Sequence, residues 1–139
     1  MHNFKELKIW QKALELSVEV YKVTGLFPKE DKFGLISQIK RSAVSIPSNI
    51  AEGAGRNSEK EFLYFLSIAN GSSYELQTQL LISNKLKFLN DDLLESMLFE
   101  LNEIQKMNYN FQKSLKKNSS KPNEHSKKKE TLEYIKSKL

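Results

Sequence analysis

Residues able to do acid–base or metal chemistry are sparse in this sequence. Only two histidines occur, His2 at the amino terminus and His125 in a polar stretch near the carboxyl end. The Glu-x-x-His pairs of di-iron bundles are missing, as are the His-Glu-x-x-His zinc motif, the Walker A loop and the nucleophile elbow. Cysteine is absent, which excludes disulfides, thiolate ligands and thiol nucleophiles. We therefore expect no catalytic residue, no metal site, no cofactor and no small-molecule substrate.

A glycine-rich segment, EGAGRNS, could be mistaken for a phosphate-binding loop. Gly53, Gly55 and Arg56 would then lead into the amino end of the following helix, where backbone N–H groups bind anions. Two glycines without a preceding strand are weak support for such a loop. We favour a connector between helices in which the glycines adopt positive φ angles.

Two helices are predicted from apolar residues that recur every three or four positions. The first covers Leu7–Thr24, and Gly25 predicts a left-handed cap at its end. The second starts after Pro28, with acidic residues in its first turn, and ends at the glycine-rich segment. Pro47 lies inside the second helix and predicts a bend rather than a break.

The next two helices carry stronger start signals. Ser58 followed by Glu61 has the capping-box spacing, and the apolar run after it predicts a helix to about Lys87. Asn90 caps a fourth helix that extends to Leu115. No stretch alternates as a strand does. Four helices with short connections predict an all-α fold, an antiparallel up-down four-helix bundle.

The net charge of +5 belongs to the carboxyl-terminal tail. Residues 1–115 carry 14 Lys or Arg and 14 Asp or Glu, whereas residues 116–139 carry eight Lys and three Glu. The tail also contains a long stretch without apolar residues, which predicts disorder. We therefore expect one domain, the bundle over 1–115, followed by a disordered, lysine-rich tail over 116–139.

The compartment of the protein is predicted from the lack of targeting and membrane-spanning segments in the sequence. No apolar run approaches the roughly 18 to 20 residues that a membrane-spanning helix needs, and the first thirty residues mix Lys and Glu among apolar positions. We expect a cytoplasmic protein with neither a signal peptide nor a membrane partner.

A polar stripe lies beside the apolar face of the second helix. At about 100° per residue, five polar positions fall within about 80° of one another. The stripe holds two serines and no lysine, whereas a solvated face favours Lys, Glu and Gln. We weigh a partly buried polar interface against an ordinary solvated face. The helix 2 stripe consists of Gln38, Arg41, Ser45, Ser48 and Glu52.

The third helix has an unusual face opposite its core positions. Tyr64, Ile68, Gly71 and Glu75 align there, and we call them the helix 3 seam. An aromatic, a branched aliphatic and a glycine in one row indicate that another helix packs closely against them. Because four helices already cover the first face, the extra helix is expected to come from another subunit.

Three segments carry a resemblance to a known family: FKELKIWQKALEL, TGLFPKED and FGLISQIKRSAVSIPSNIAEGAGRNSEKEFLYFLSIANGSSYELQTQL. They resemble the bacterial four-helix-bundle proteins encoded in intervening sequences of 23S ribosomal RNA genes. SIPSNIAEG and GSSYELQTQL are the most specific pieces. The family pattern usually has Arg-Arg-Ala where this chain has Lys40, Arg41 and Ser42. The positions that match its motif are Gln38, Arg41, Ser45, Asn49, Glu52, Gly53, Arg56, Glu61 and Glu75.

The resemblance implies a homopentameric ring, similar to the accessory protein of diversity-generating retroelements, which works with a reverse transcriptase and binds nucleic acid. It also favours an interface role for the helix 2 stripe, for Asn49 and for the helix 3 seam.

Nucleic acid could contact either of two regions. The tail is favoured, because the bundle is neutral, and its contacts would be Lys116, Lys117, Lys127, Lys128 and Lys129. The alternative lies around the corner between helices two and three, with Lys40, Arg41, Arg56 and Lys60.

The sequence therefore predicts a non-enzymatic homo-oligomeric scaffold, a pentamer by the resemblance, associated with RNA or DNA. A protein-binding scaffold without nucleic acid is the main alternative. A small hydrolase with a Ser-Lys or paired-carboxylate site is a distant third.

Overall fold

The computed structural model describes residues 2–31, 34–119 and 132–138. Within these ranges the chain forms helices and no strand. Two short 3-10 turns, Phe4–Glu6 and Lys29–Asp31, precede the first and second long helices, and residues 132–137 are helical. The four long helices are α1 Lys8–Thr24, α2 Leu35–Ala54, α3 Glu59–Lys85 and α4 Asp91–Ser119.

The four helices pack as an antiparallel up-down bundle. Each helix contacts the next along the chain, and α1 closes the bundle against α4. Short connections between neighbouring helices dictate this antiparallel arrangement. Apolar residues from all four helices fill one core, whose largest members include Ile39, Phe62, Leu76 and Met97. The all-α bundle predicted from the sequence is confirmed.

Local capping signals place the starts of α3 and α4 as predicted. The Glu61 N–H donates to the Ser58 Oγ at 3.1 Å, and the Ser58 hydroxyl donates to a carboxylate oxygen of Glu61. At the start of α4, the Leu93 N–H donates to Oδ1 of Asn90 at 2.8 Å. Both caps join residues three positions apart, so they form before any tertiary contact is needed.

The start of α2 differs from the prediction. The acidic residues after Pro28 belong to the 3-10 turn Lys29–Asp31, and α2 begins only at Leu35. Gly34 precedes it with φ −98° and ψ −109°, a conformation outside the helical region. Because Gly34 lies outside the helical region, α2 cannot begin before Leu35, and the acidic residues stand in a separate turn. Pro47 lies inside a continuous α2.

The prediction that glycines adopt left-handed conformations at the helix ends is wrong. Gly25 caps α1 with φ −63°, Gly55 caps α2 with φ −81°, and no glycine in the described ranges has a positive φ. Gly53 lies within α2 for a different reason. A Cβ atom there would stand 2.7 Å from the Phe65 Cβ, so the glycine lets α2 and α3 approach closely.

The positive φ is found instead at Lys87, at the end of α3. The Phe88 N–H donates to the Ser83 carbonyl at 2.9 Å, and the Lys87 N–H donates to the Asn84 carbonyl at 2.9 Å. This pair of bonds is a Schellman motif, in which the left-handed position usually holds glycine. A lysine at that position strains the backbone of the turn between α3 and α4.

The last helix extends beyond its predicted end at Leu115. It continues to Ser119, so Lys116 and Lys117 lie on its last turn and not in a tail. Lys127, Lys128 and Lys129, with the disorder predicted around them, lie outside the described residues. No helix that the structure describes combines the length and apolarity of a bilayer-crossing segment.

Candidate functional site

The described residues contain no group of three or more His, Cys, Asp or Glu that could hold a metal ion. His2 lies at one end of the bundle, where its backbone N–H donates to the Ala54 carbonyl at 2.9 Å. Its ring centroid stands 5.1 Å from that of Phe62 and 6.2 Å from that of Phe111. The His2 ring thus packs with an aromatic side chain of α3 and one of α4 at this end of the bundle. His125 lies outside the described ranges.

Of the helix 2 stripe only Ser45, at its centre, is partly buried, and the other four members are exposed. Ser45 and Asn49 are half-buried, and the hydroxyls of Ser45 and Ser72 share a hydrogen bond of 2.8 Å between α2 and α3. The Asn49 amide donates to the carbonyl and the hydroxyl of Ser45, at 2.8 and 2.9 Å. Gln38 and Ser48 are exposed. The centre of the stripe therefore belongs to the α2–α3 contact of a single protomer.

The charged members of the stripe do not meet each other. The Arg56 guanidinium, four residues further along the chain, forms an ion pair with the Glu52 carboxylate at 2.9 Å. Both side chains are about half exposed. The Arg56 guanidinium also lies 5.0 Å from the centroid of the Phe65 ring. Arg41 is exposed and forms no ion pair with another residue of the described chain. It stands eleven residues before Glu52, about 16 Å along the helix axis.

The helix 3 seam lies on the surface of the protomer. Tyr64 is 63% exposed, Ile68 is half-buried, and Gly71 is exposed. A Cβ atom on Gly71 would meet no atom within 4 Å, in contrast to Gly53. Glu75 closes the row and accepts a 3.2 Å hydrogen bond from Gln79. The glycine of the seam therefore has no packing role within one protomer.

The four basic residues proposed for the bundle do not form one cluster. Arg56 and Lys60 lie at the corner between α2 and α3, whereas Lys40 and Arg41 lie near the start of α2. The length of α2 between them is about 20 Å. The Lys40 ammonium lies 4.8 Å from the centroid of the Tyr21 ring, so it is engaged on α1. Only Arg56 and Lys60 occupy the corner.

A buried polar cluster between α3 and α4 was missed by sequence reasoning. Asn108 is buried, and its amide donates to the Leu66 carbonyl at 2.9 Å. Gln112 donates to Asn108, and the Ser67 hydroxyl donates to Gln112. Asn108 lies four residues after the buried Ile104 on α4, and this spacing was the available signal. The cluster joins the two helices from buried Asn108 through half-buried Gln112 to exposed Ser67.

Comparison with known proteins agrees with this architecture. The family model described as 23S rRNA-intervening sequence protein matches residues 5–110. The chain belongs to this family. A crystal structure from Bacteroides thetaiotaomicron VPI-5482, described as a protein with unknown function from the S23 ribosomal protein family, is similar with a TM-score of 0.70 and 26% identity. The alignment covers 76% of this chain and 95% of that chain. A search of curated proteins gives no match.

The helix 2 stripe and the helix 3 seam lie inside the family match, whereas one polar contact lies beyond it. Lys113 on α4 donates to the Tyr134 hydroxyl at 2.7 Å, and its ammonium stands 3.9 Å from the ring centroid. Lys138 lies 4.6 Å from the same centroid. The hydrogen bond from Lys113, followed by that from Lys138, lowers the pKa of Tyr134 from 10.0 to about 8. The hydrogen bond between Lys138 and Tyr134 also raises the pKa of Lys138.

Proposed function

We propose that this 23S rRNA-intervening sequence protein is a homo-oligomeric helical scaffold without enzymatic activity that associates with nucleic acid. The observation that supports it most is the exposed helix 3 seam. Tyr64 is 63% exposed beside a glycine whose side-chain position is empty. An exposed row of apolar and small residues is typical of an interaction surface.

The glycine in the seam argues for a partner helix at this place. Glycine in a helix interior costs about 0.5–1 kcal/mol relative to alanine, and nothing within the protomer requires Gly71. A second helix could approach its bare backbone closely, as α3 does at Gly53. Exposed Arg41 and Ser48 on neighbouring α2 would then supply polar contacts around the apolar centre. This arrangement suits a second copy of the chain, and the resemblance described above favours a ring of five.

The charge distribution supports the nucleic-acid part of the proposal. Eight lysines and three glutamates follow residue 115 in each chain. An oligomer would bring several such basic segments to one polyanion, which raises avidity and makes binding steeply dependent on salt.

The oligomer is tested by light scattering on the wild-type protein and on Gly71→Leu. Because the protomer has room for the new side chain, the variant should fold with unchanged or higher helicity. The mass of its assembly in solution should fall, because the bulky side chain prevents close approach of a second helix. Lys22→Leu, an equally apolar change at an exposed site of α1, should keep the wild-type mass. A wild-type mass near 16.1 kDa at micromolar concentration would contradict the proposal.

Nucleic-acid binding is tested by gel shift with RNA and DNA at two salt concentrations. Truncation after Ser119 removes residues 120–139 and leaves α4 whole, so it separates the tail from the bundle. Loss of binding on truncation would assign the contact to the tail, and retained binding would assign it to the bundle. An oligomer that shifts neither RNA nor DNA at low salt would instead be a protein-binding scaffold.

A further inference from the structure

The charge of α4 is divided between its two halves. Residues 91–103 contain five acidic residues and no basic one, whereas residues 104–119 contain four lysines and no acidic one. Acidic residues at the start of a helix and basic residues at its end favour the helix dipole, but this effect is limited to the terminal turns. Lys106 stands thirteen residues before Ser119. The dipole therefore does not explain the basic half.

The lysines of this half share one face with an aromatic side chain. Lys106, Tyr109, Lys113 and Lys117 fall within about 80° of one another around the helix and extend over about 17 Å of its length. Lys106 and Lys117 are exposed, Lys113 is half-buried, and Tyr109 is 49% exposed.

The carboxyl-terminal segment 132–138 adds to the same face. Tyr134 accepts the hydrogen bond from Lys113, and Lys138 lies over the Tyr134 ring. Tyr109 lies one turn before Lys113 on the same face of α4, so the hydrogen bond from Lys113 holds Tyr134 on the side of the helix that carries Tyr109. The hydrogen bonds from Lys113 and Lys138 lower the pKa of Tyr134. We call this surface the basic face: Lys106, Tyr109, Lys113, Lys117, Tyr134 and Lys138.

We propose that the basic face binds single-stranded nucleic acid, with Tyr109 stacking on an unpaired base and the α4 lysines contacting phosphates. The inference rests on the proposed function and assigns its nucleic-acid contact to a particular surface. Lysines that follow a backbone, interleaved with an exposed aromatic ring, are the pattern by which proteins hold single strands without reading sequence. Bases inside a duplex do not offer a face for such stacking.

The other basic candidates on the bundle are less suited to this role. Arg56 is paired with Glu52 and stacked on Phe65, and Lys40 lies on the Tyr21 ring. On the basic face Lys113 and Lys138 are engaged in a similar way, with Tyr134. Lys106 and Lys117, however, are exposed and stand in one row with exposed Tyr109. Four of the six residues of the basic face lie beyond residue 110, where the family match ends.

The aromatic contact is tested with the full-length protein and a labelled, unstructured pyrimidine oligonucleotide, by fluorescence anisotropy. Tyr109→Ala should weaken binding about tenfold, as the loss of one base–aromatic stack does. Tyr109→Phe keeps the ring and should bind as the wild type does. Tyr74→Ala removes a tyrosine of similar exposure on α3 and should have no effect. Affinity for a duplex should not respond to Tyr109→Ala.

The phosphate contacts are tested by two triple variants of equal net charge. Lys106→Gln, Lys113→Gln and Lys117→Gln together should reduce the slope of log affinity against log salt by about 2, at about 0.7 per phosphate contact. The control carries Lys22→Gln, Lys29→Gln and Lys85→Gln, all at exposed sites toward the opposite end of the bundle, and should keep the slope.

The outcomes separate the two proposals. A wild-type protein that binds no oligonucleotide at low salt would overturn the nucleic-acid part of the proposed function and this inference with it. Wild-type binding that is unaffected by Tyr109→Ala, or that both triple variants weaken equally, would overturn only the assignment to the basic face.

Discussion

Gly53 on α2 and Phe65 on α3 touch without an intervening side chain. A Cβ atom added to Gly53 would lie 2.7 Å from the Phe65 Cβ and 2.8 Å from Cδ2 of Phe62. The backbone of α2 thus lies directly against the first turns of α3, at the end of the bundle that His2 closes.

Gly53→Ala should destabilise the protein. Although alanine is the better helix former, the added methyl group would force two packed phenylalanines to move, at a cost of about 1–3 kcal/mol. Chemical denaturation would show a lower midpoint with an unchanged slope. Gly55→Ala is the matched control, since Gly55 ends the same helix at a φ of −81° and its added methyl group would make only ordinary contacts at 3.6 Å. A stabilised Gly53→Ala protein would show that this close contact is absent in solution.

Lys87→Gly should stabilise the protein by about 0.5–1 kcal/mol. Lysine holds a φ of 65° at the end of α3, a left-handed conformation that costs a non-glycine residue about 1–2 kcal/mol and glycine almost nothing. The gain is reduced by the greater backbone entropy of glycine in the unfolded chain. Thermal unfolding measures the difference. Lys85→Gly, two residues earlier and within the helix, should instead be destabilising.

Docking of the carboxyl-terminal segment should strengthen as the pH rises. The pKa of Tyr134 is lowered from 10.0 to about 8 by the Lys113 hydrogen bond, so the bound segment favours the phenolate. A group whose pKa is lowered in the folded state stabilises that state fully above its unfolded pKa, and this stabilisation is lost as the pH falls through the folded pKa. For Tyr134 the loss occurs between pH 10 and pH 8. Tyrosinate absorbance should show one of five tyrosines ionising early. Tyr134→Phe should abolish that early step, and an identical titration curve would contradict the contact.

Arg41→Ala and Glu52→Ala should each weaken the oligomer, because we expect these residues to act in subunit contacts and not as a catalytic acid and base. Among the described residues Glu52 pairs only with exposed Arg56, a contact worth about 0.3–0.5 kcal/mol, so its removal should hardly change the stability of a monomer. A charge that loses its partner in a desolvated interface costs about 2–5 kcal/mol. Light scattering during dilution would detect earlier dissociation. Unchanged mass and unchanged melting temperature in both variants would show that the helix 2 stripe is an ordinary solvated face.

Signals that depend on near neighbours in the chain were predicted well. The capping box joins Ser58 and Glu61 across three residues, and the Asn90 cap reaches Leu93 over the same interval. Such bonds need only the local helical geometry, so residue type and spacing suffice to predict them. Apolar periodicity likewise predicted four helices, since burial of one helix face follows from a period of 3.6 residues.

Signals that depend on what lies across the bundle were not predicted. Gly53 was assigned a positive φ because the sequence cannot reveal that Phe62 and Phe65 would press against it. Asn108 was not singled out from the sequence, because its partner, the Leu66 carbonyl, lies on another helix and accepts a hydrogen bond from its amide.

The chain alone therefore determined where α3 and α4 start, that the chain forms four amphipathic helices and that the basic charge follows residue 115, because these properties are carried by neighbouring residues. Only the tertiary structure decided that Gly53 is a packing contact while Gly71 faces open space. It also decided that Lys113 meets Tyr134, twenty-one residues further on. Each of these depends on the distance between residues far apart in the chain, which is set by how the helices pack.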